Sequence, residues 1–113
     1  RDFGAPTAVI VCADTSEAWT RKYDDKHISD IDATIVTDHM MLAAASLGLD
    51  TLWICMFKPE AVRGEFGLPD TVEPVNILLI GYGADAPASP DRHATLRKPL
   101  EETVFYERFG QKR

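Results

Sequence analysis

A bulky apolar segment directly after a glycine constrains this chain more than any other feature. In the stretch GLDTLWICMF, Gly48 is followed within four residues by the run Leu52–Phe57, which contains no charged side chain. The run does not alternate between apolar and polar residues, and continuous apolar runs are typical of strands that are buried on both faces. Residues 51–57 are therefore predicted to form a strand that needs cover on both sides.

The segment before this glycine is predicted to be a helix over residues 30–47. Ser29 is a favourable N-cap residue, Asp30 and Asp32 suit the positive helix end, and Gly48 suits the left-handed conformation that ends many helices. The apolar residues fall on two stripes, namely Ile31, Ile35, Leu42 and Ala45 on one and Val36, Met40, Ala43 and Leu47 on the other. A helix with so little polar surface is expected to be covered on nearly all sides.

The remaining elements place these two in an alternating order. Strands are predicted over residues 7–13 (TAVIVCA) and 74–82, and a short helix over residues 59–66, with Pro59 at its start and Gly67 just past its end. Residues 83–99 read as an extended surface segment. The order strand, helix, strand, helix, strand predicts an α/β fold, with connections long enough for parallel neighbours, in a single domain over residues 1–113.

Composition and charge exclude several classes of function. The chain has 113 residues, of which 45% are hydrophobic, so it is expected to fold around one core. Its net charge of -6, with acidic and basic residues interspersed, argues against a nucleic-acid partner. No apolar run is long enough to cross a bilayer, so a soluble, cytoplasmic protein is expected.

The cysteines and histidines do not indicate a disulfide framework or a metal site. Cys12 and Cys55 both lie in apolar runs, where a free cysteine usually acts as a small hydrophobic residue. His27, His39 and His93 are scattered and form no paired ligand spacing with a cysteine. No metal is therefore expected.

Two motifs have chemical interpretations that the sequence does not favour. GYGADA, after the third predicted strand, matches a permissive dinucleotide-binding pattern, but PASP follows it where a helix should begin, so a plain turn is favoured. Cys55 would be a nucleophile if His39 activated it, but nothing in the sequence brings the two together. A packed thiol in a strand is the favoured interpretation.

A cluster of cations near the C-terminus leaves two interpretations open. Arg92, His93, Arg97 and Lys98 lie close together in PDRHATLRKP. Such a cluster on an extended segment can hold a phosphate monoester, because arginine is suited to phosphate recognition. A solvated basic patch is equally compatible with the residues alone.

The order of three segments resembles one protein family. These segments are DIDATIVTDHMMLAAASLGLDTLWICMF, KPEAVRGEFGLPDTVEPVNILLIGYG and RKPLEETVFYE. Together they resemble the C-terminal portion of the FMN-dependent nitroreductase family, over about Pro6 to Glu107. The resemblance implies a nitroreductase-like α+β fold, a three-layer sandwich whose mixed central sheet is flanked by helices. The family's arginine-rich first segment has no counterpart before Arg1, so a chain truncated at its N-terminus is expected.

The resemblance also implies a cofactor site. The backbone at Cys55 and Met56 would donate hydrogen bonds toward flavin N5, with Trp53 and Ile54 packing alongside. Arg97 and Lys98 match the basic residues that reach the FMN phosphate. Cys55 and Met56 replace the small residues common in the family, and the bulk of Met56 would narrow the space for a second substrate. No side chain is expected to act as a catalytic acid or base.

The expected activity follows from this resemblance. NAD(P)H would deliver hydride to FMN N5, and an electron-poor acceptor such as a nitroaromatic or a quinone would then replace it. The alternative is a non-catalytic flavin-binding or interaction module that has lost turnover with the missing segment. A homodimer is expected in either case, because a helix that is apolar on both stripes normally meets an interface.

Overall fold

The computed structural model describes residues 3–113 and contains one three-stranded sheet with four helices in that range. The strand order is β1-β3-β2, so β3 is central and β2 forms an edge. In chain order the elements are β1 (Thr7–Asp14), α1 (Ser29–Ser46), β2 (Asp50–Ile54), α2 (Pro59–Phe66), β3 (Val72–Gly81), α3 (Arg92–Leu96) and α4 (Leu100–Thr103).

Both pairs of strands are antiparallel, so the expectation of parallel neighbours is wrong. The outermost pairs of the β2–β3 ladder are Asp50↔Gly81 and Ile54↔Ile77. The chain therefore turns back through α2 and returns beside the strand it left. A long connection permits a parallel crossover but does not require one, because strand direction depends on where the connection packs.

The second strand ends earlier than its apolar sequence predicts. The ladder stops at Ile54, and the backbone then tightens, with the Phe57 N–H donating to the Cys55 carbonyl at 3.1 Å just before α2. Leu52 is 42% exposed, so burial of this strand on both faces is also wrong for the described residues 3–113. A run of apolar residues cannot show where the partner strand stops.

A β-bulge explains how a proline is accommodated in the central strand. Val11 pairs with Asn76 and Cys12 with Pro74, so Val75 is the extra residue. Proline cannot donate to a ladder and is found in sheets mainly at edges and bulges. β2 pairs only with residues from Ile77 onward, so Pro74 lies beyond the part of β3 that has partners on both sides.

Helix α1 ends as the sequence predicts but begins differently. Gly48 has φ 73°, its N–H donates to the Ala45 carbonyl, and the Leu49 N–H donates to the Ala44 carbonyl, which together form a Schellman motif. At the other end Ser29 is already helical and its side chain makes no capping hydrogen bond. The prediction of Ser29 as the N-cap is therefore wrong.

Only one face of α1 is covered by the described part of the chain. Small residues on that face, Ala33, Thr37 and Ala44, are buried against the sheet. The expectation that the helix is covered on nearly all sides is not met within residues 3–113. The large apolar residues that stay exposed on α1 are Ile31, Ile35, Val36, Leu42 and Leu47.

The last part of the chain is an arm that extends from the sheet. Helices α3 and α4 pack against none of the other elements in the described range. The radius of gyration is 18.0 Å, whereas a compact chain of this length would have about 13 Å. We call residues 83–113 the C-terminal arm. That the whole chain forms a single domain stays a prediction.

Residues 3–113 contain neither a helix suited to crossing a membrane nor a cluster of metal-ligand side chains. None of their helices combines the length and apolar character needed to cross a membrane. Within the same range, no three histidine, cysteine or acidic side chains are grouped as metal ligands would be.

Candidate functional site

The residues predicted to meet a flavin lie at the open end of the edge strand. We call Trp53–Met56 the β2 ledge. Trp53 pairs with Leu78 and Ile54 with Ile77, so the side chains of Trp53 and Ile54 point to opposite faces of the sheet. Trp53 lies on the face covered by α1, because β3 turns Asn76 and Leu78 to that face and Asn76 hydrogen-bonds to Thr37 of α1.

Cys55 and Met56 form the exposed part of the β2 ledge. Both lie beyond the last pair of the ladder, and Met56 is 94% exposed. Cys55 is also exposed, so its interpretation as a packed thiol in a strand is wrong. Among the hydrogen bonds of residues 3–113, none joins Cys55 to His39, so the alternative of an activated nucleophile gains no partner.

The indole of Trp53 is the least expected feature of the β2 ledge. Its Nε1–H is buried and has no hydrogen-bond partner among residues 3–113. The other tryptophan, Trp19, is exposed in the turn between β1 and α1. Sequence reasoning placed Trp53 beside the flavin but gave no sign that its polar atom faces inward under α1.

The predicted phosphate-binding cations lie on the C-terminal arm, between and within its short helices. Arg97 and Lys98 separate α3 from α4, and neither forms an ion pair within the described chain. Arg97, together with slight desolvation and Arg92, lowers the pKa of His93 below its usual value. This lowering reflects the positive charges of Arg97 and Arg92 near the imidazole of His93.

The structure does not bring the two predicted halves of the site together in one chain. The β2 ledge is at the sheet edge, whereas Arg97 and Lys98 are on an arm whose helices pack against no strand in the described range. Their common role in binding one cofactor stays a prediction.

A further groove, which sequence reasoning missed, lies at the other end of β2. It has a volume of about 800 Å³ and runs between residues 50–52 and residues 81–85. The Gly83 N–H donates to Asp50 Oδ2 at 2.7 Å, and a Cβ on Gly83 would come within 2.9 Å of that oxygen. Gly83 of GYGADA therefore allows the backbone to approach the carboxylate of Asp50 closely. No helix follows this motif before Arg92, and this supports its interpretation as a plain turn.

The chemistry of these residues fits a cofactor that has an isoalloxazine ring and a phosphate group. The β2 ledge offers exposed apolar surface and backbone N–H groups beyond the end of its ladder, which is what a flat ring with an electron-accepting nitrogen needs. Arg97 and Lys98 offer positive charge and form no ion pair among residues 3–113, which suits the binding of a phosphate monoester.

Similar proteins point to the same family. Residues 1–82 match the family model described as the Nitroreductase family. A protein of Methanothermobacter thermautotrophicus, provisionally named NADH dehydrogenase/NAD(P)H nitroreductase, is 33% identical over 87% of this chain and 51% of its own length. A similarly named protein of Archaeoglobus fulgidus is 30% identical over 72% of this chain and 47% of its own length. The chain thus spans about half the length of these curated relatives.

Solved structures agree with the sequence matches. The crystal structure of a nitroreductase family protein from Clostridium difficile 630 superposes with a TM-score of 0.89 at 53% identity, covering 94% of this chain and 62% of that one. An FMN-dependent nitroreductase from Clostridium difficile R20291 superposes with a TM-score of 0.69 at 25% identity, covering 93% and 59%. The predicted nitroreductase-like α/β fold is confirmed by this likeness. The chain belongs to the nitroreductase family.

Proposed function

We propose that this chain is part of an FMN-dependent oxidoreductase that uses NAD(P)H to reduce an electron-poor acceptor such as a nitroaromatic or a quinone. Family membership supports an oxidoreductase, and one structural relative is described as an FMN-dependent nitroreductase. The observation that carries the proposal is the exposed end of the β2 ledge, where apolar surface and backbone N–H groups lie beyond the last ladder pair.

The chain would contribute position and electrostatics to this reaction. FMN, when bound, supplies a ring that accepts hydride from NAD(P)H and passes reducing equivalents to the acceptor. The backbone N–H groups of Cys55 and Met56 would orient the ring edge, and Ile54 would pack against its apolar surface. Arg97 and Lys98 would hold the phosphate through charge-assisted hydrogen bonds. The side chain of Met56 would limit the size of the acceptor.

We also propose that the chain acts as a homodimer, with NADH or NADPH as the co-substrate. Because the two helices of the arm pack on none of the other elements in residues 3–113, a second copy is a natural source of the basic residues at each ledge. The exposed apolar residues of α1 support a contact between two copies. We also propose a cytoplasmic location, where the unpaired Cys12 and Cys55 remain reduced.

A flavin titration of the purified chain tests the cofactor assignment. FMN binding should quench flavin fluorescence, and adding NADH or NADPH without oxygen should bleach the bound flavin. The double variant Arg97→Ala/Lys98→Ala should weaken FMN binding by about 2 to 4 kcal/mol if both charge-assisted contacts form. Lys26→Ala, which removes an exposed cation in the turn before α1, is the matched control and should bind FMN normally.

The titration also separates the enzyme from its alternative. A chain that takes up FMN but is not bleached by either nicotinamide would support the non-catalytic flavin-binding module. A chain that takes up no FMN at micromolar concentration would overturn the flavoprotein proposal for these residues.

A further inference from the structure

The interior under α1 contains two buried polar atoms of complementary type that find no hydrogen-bond partner among residues 3–113. One is the indole Nε1–H of Trp53, which can only donate, and the other is Oδ1 of Asn76, which can only accept. Asn76 is 0% exposed. A buried polar group without a hydrogen bond destabilises a fold, so two of them in one small core are a substantial loss.

Hydrogen bonding within the cluster fixes which atom of Asn76 is left over. The Thr37 hydroxyl donates to the Ala33 carbonyl at 2.8 Å, so it can only accept from Asn76. Asn76 Nδ2 donates to that hydroxyl at 2.9 Å. The amide therefore cannot be turned round without losing this chain of bonds, and Oδ1 is the atom that points away from Thr37.

The sheet register places the two unpartnered atoms on one face. Trp53 is directly opposite Leu78, and Asn76 lies two residues from Leu78 on the same face of β3. Diagonal neighbours of this kind have Cα atoms about 7 to 8 Å apart, within reach of a large aromatic side chain. The indole and the carboxamide do not bond directly, although each needs what the other offers.

We propose that one water molecule is bound between Trp53 Nε1 and Asn76 Oδ1, under helix α1. Water accepts from the indole and donates to the carboxamide, so a single molecule satisfies both atoms. Buried waters typically make two to four hydrogen bonds to polar groups that would otherwise lack partners. The site links α1, β3 and β2 through Thr37, Asn76 and Trp53.

The water site would also make Asn76 a positioning residue for the β2 ledge. Trp53 is the first residue of the ledge and lies two residues before Cys55, so a fixed indole would steady the strand end from which Cys55 and Met56 leave. This consequence rests on the proposed function, whereas the water site itself does not. Asn76→Leu, which removes the acceptor oxygen, should weaken FMN binding.

Nuclear magnetic resonance of the cofactor-free chain tests the water site directly. The chain has two indole N–H signals, one from each tryptophan, and a Trp19→Phe variant assigns the signal of Trp53. The Trp53 indole proton should exchange slowly with deuterium and show a nuclear Overhauser contact to a long-lived water. The same contact should disappear in Asn76→Leu. Trp19, which is 59% exposed, is the internal reference for fast exchange.

Three results would overturn the proposal. The first is a slowly exchanging Trp53 indole without any contact to water, which indicates a direct bond to Asn76. The second is exchange as fast as that of Trp19, and the third is a water contact that Asn76→Leu leaves unchanged. If Asn76→Leu does not fold, Trp53→Phe removes the donor instead, and the water contact of the Asn76 side-chain amide should then be lost. A failure to bind FMN would leave these readouts unaffected.

Discussion

Thr37 is the residue through which α1 is tied to the sheet by polar contacts. Its hydroxyl accepts from Asn76 Nδ2 and donates to the Ala33 carbonyl, and both Thr37 and Asn76 are fully buried. A threonine in mid-helix would ordinarily be neutral or unfavourable, because its hydroxyl competes with the helix hydrogen bonds. Here the hydroxyl is needed, since within residues 3–113 it is the one partner found for the carboxamide nitrogen of Asn76.

Thr37→Val should therefore destabilise the fold without changing the shape of the side chain. The substitution leaves the buried Nδ2 of Asn76 without an acceptor, which should lower the free energy of unfolding by about 1 to 3 kcal/mol. Urea denaturation followed by circular dichroism measures this change. Thr34→Val, on the exposed side of the same helix, is the control and should change stability by no more than about 0.5 kcal/mol. Equal effects of the two substitutions would contradict the role of Thr37.

At the scale of elements, local signals predicted the C-terminal ends of α1 and α2 but missed the direction and length of the strand pairing. Gly48 and Gly67 both adopt positive φ just past their helices, because a left-handed residue satisfies the last carbonyls, and this preference is visible in the sequence. The direction and length of β2 depend on contacts with β3 that lie far away along the chain. The early end of β2 at Ile54 was therefore hidden within an unbroken apolar run.

Gly48, just past the end of α1, and Gly64, inside α2, provide a matched test of backbone conformation. Gly48 has φ 73° with open space around it, so Gly48→Ala should cost about 1 to 2 kcal/mol from the left-handed conformation alone. Gly64 lies inside α2, also with open space but without a positive φ, so Gly64→Ala should stabilise by about 0.5 to 1 kcal/mol. Thermal unfolding of both variants should shift the midpoint in opposite directions. Shifts of the same sign would contradict this assignment.

The basic segment of the arm makes a prediction about pH. The pKa of His93 is lowered chiefly by the charge of Arg97, with smaller effects from desolvation and from Arg92. Arg97→Gln should therefore raise the pKa of His93 toward its ordinary value, and a bound phosphate beside Arg97 should do the same in the unmodified chain. Titration of the His93 ring signals by nuclear magnetic resonance measures both shifts. Lys58→Gln, in the connection before α2, is the control and should leave the titration unchanged.

The candidate site was only partly predictable for the same reason as the sheet. A family resemblance located Trp53–Met56 and the cations Arg97 and Lys98, and the structure gives the first group an exposed end on an edge strand. The resemblance could not indicate that the indole nitrogen of Trp53 is buried or that the carboxylate of Asp50 accepts a hydrogen bond from the Gly83 N–H. Both features depend on how strands far apart in the sequence pair and on where their side chains then point. A single stretch of sequence does not contain this information.

At the scale of the whole molecule, the described chain is extended because an arm leaves the sheet. The radius of gyration of 18.0 Å reflects two short helices that pack on no other element of residues 3–113, while α1 keeps large apolar side chains exposed. Together these features describe a surface and an arm that each lack a packing partner among residues 3–113. Two copies would satisfy both.

The proposed homodimer can be tested through the exposed face of α1. Leu42 is 62% exposed and apolar, so Leu42→Asp should introduce a charge into the contact and shift the protein to monomers at micromolar concentration. Light scattering after size-exclusion chromatography measures the mass. Thr34→Asp carries the same new charge on α1 as a control. A monomeric starting protein would contradict the proposal.

The open edge of β2 has a further consequence for how this chain behaves in concentrated solution. One side of Asp50–Ile54 has no neighbouring strand among residues 3–113, and its side chains include Leu52 and Trp53. Such an edge is a template on which extended segments of other molecules add through main-chain bonds. Fibrous aggregation, with its cross-β spacing of about 4.7 Å, could therefore start at this strand as well as at β1, which is the other edge of the sheet.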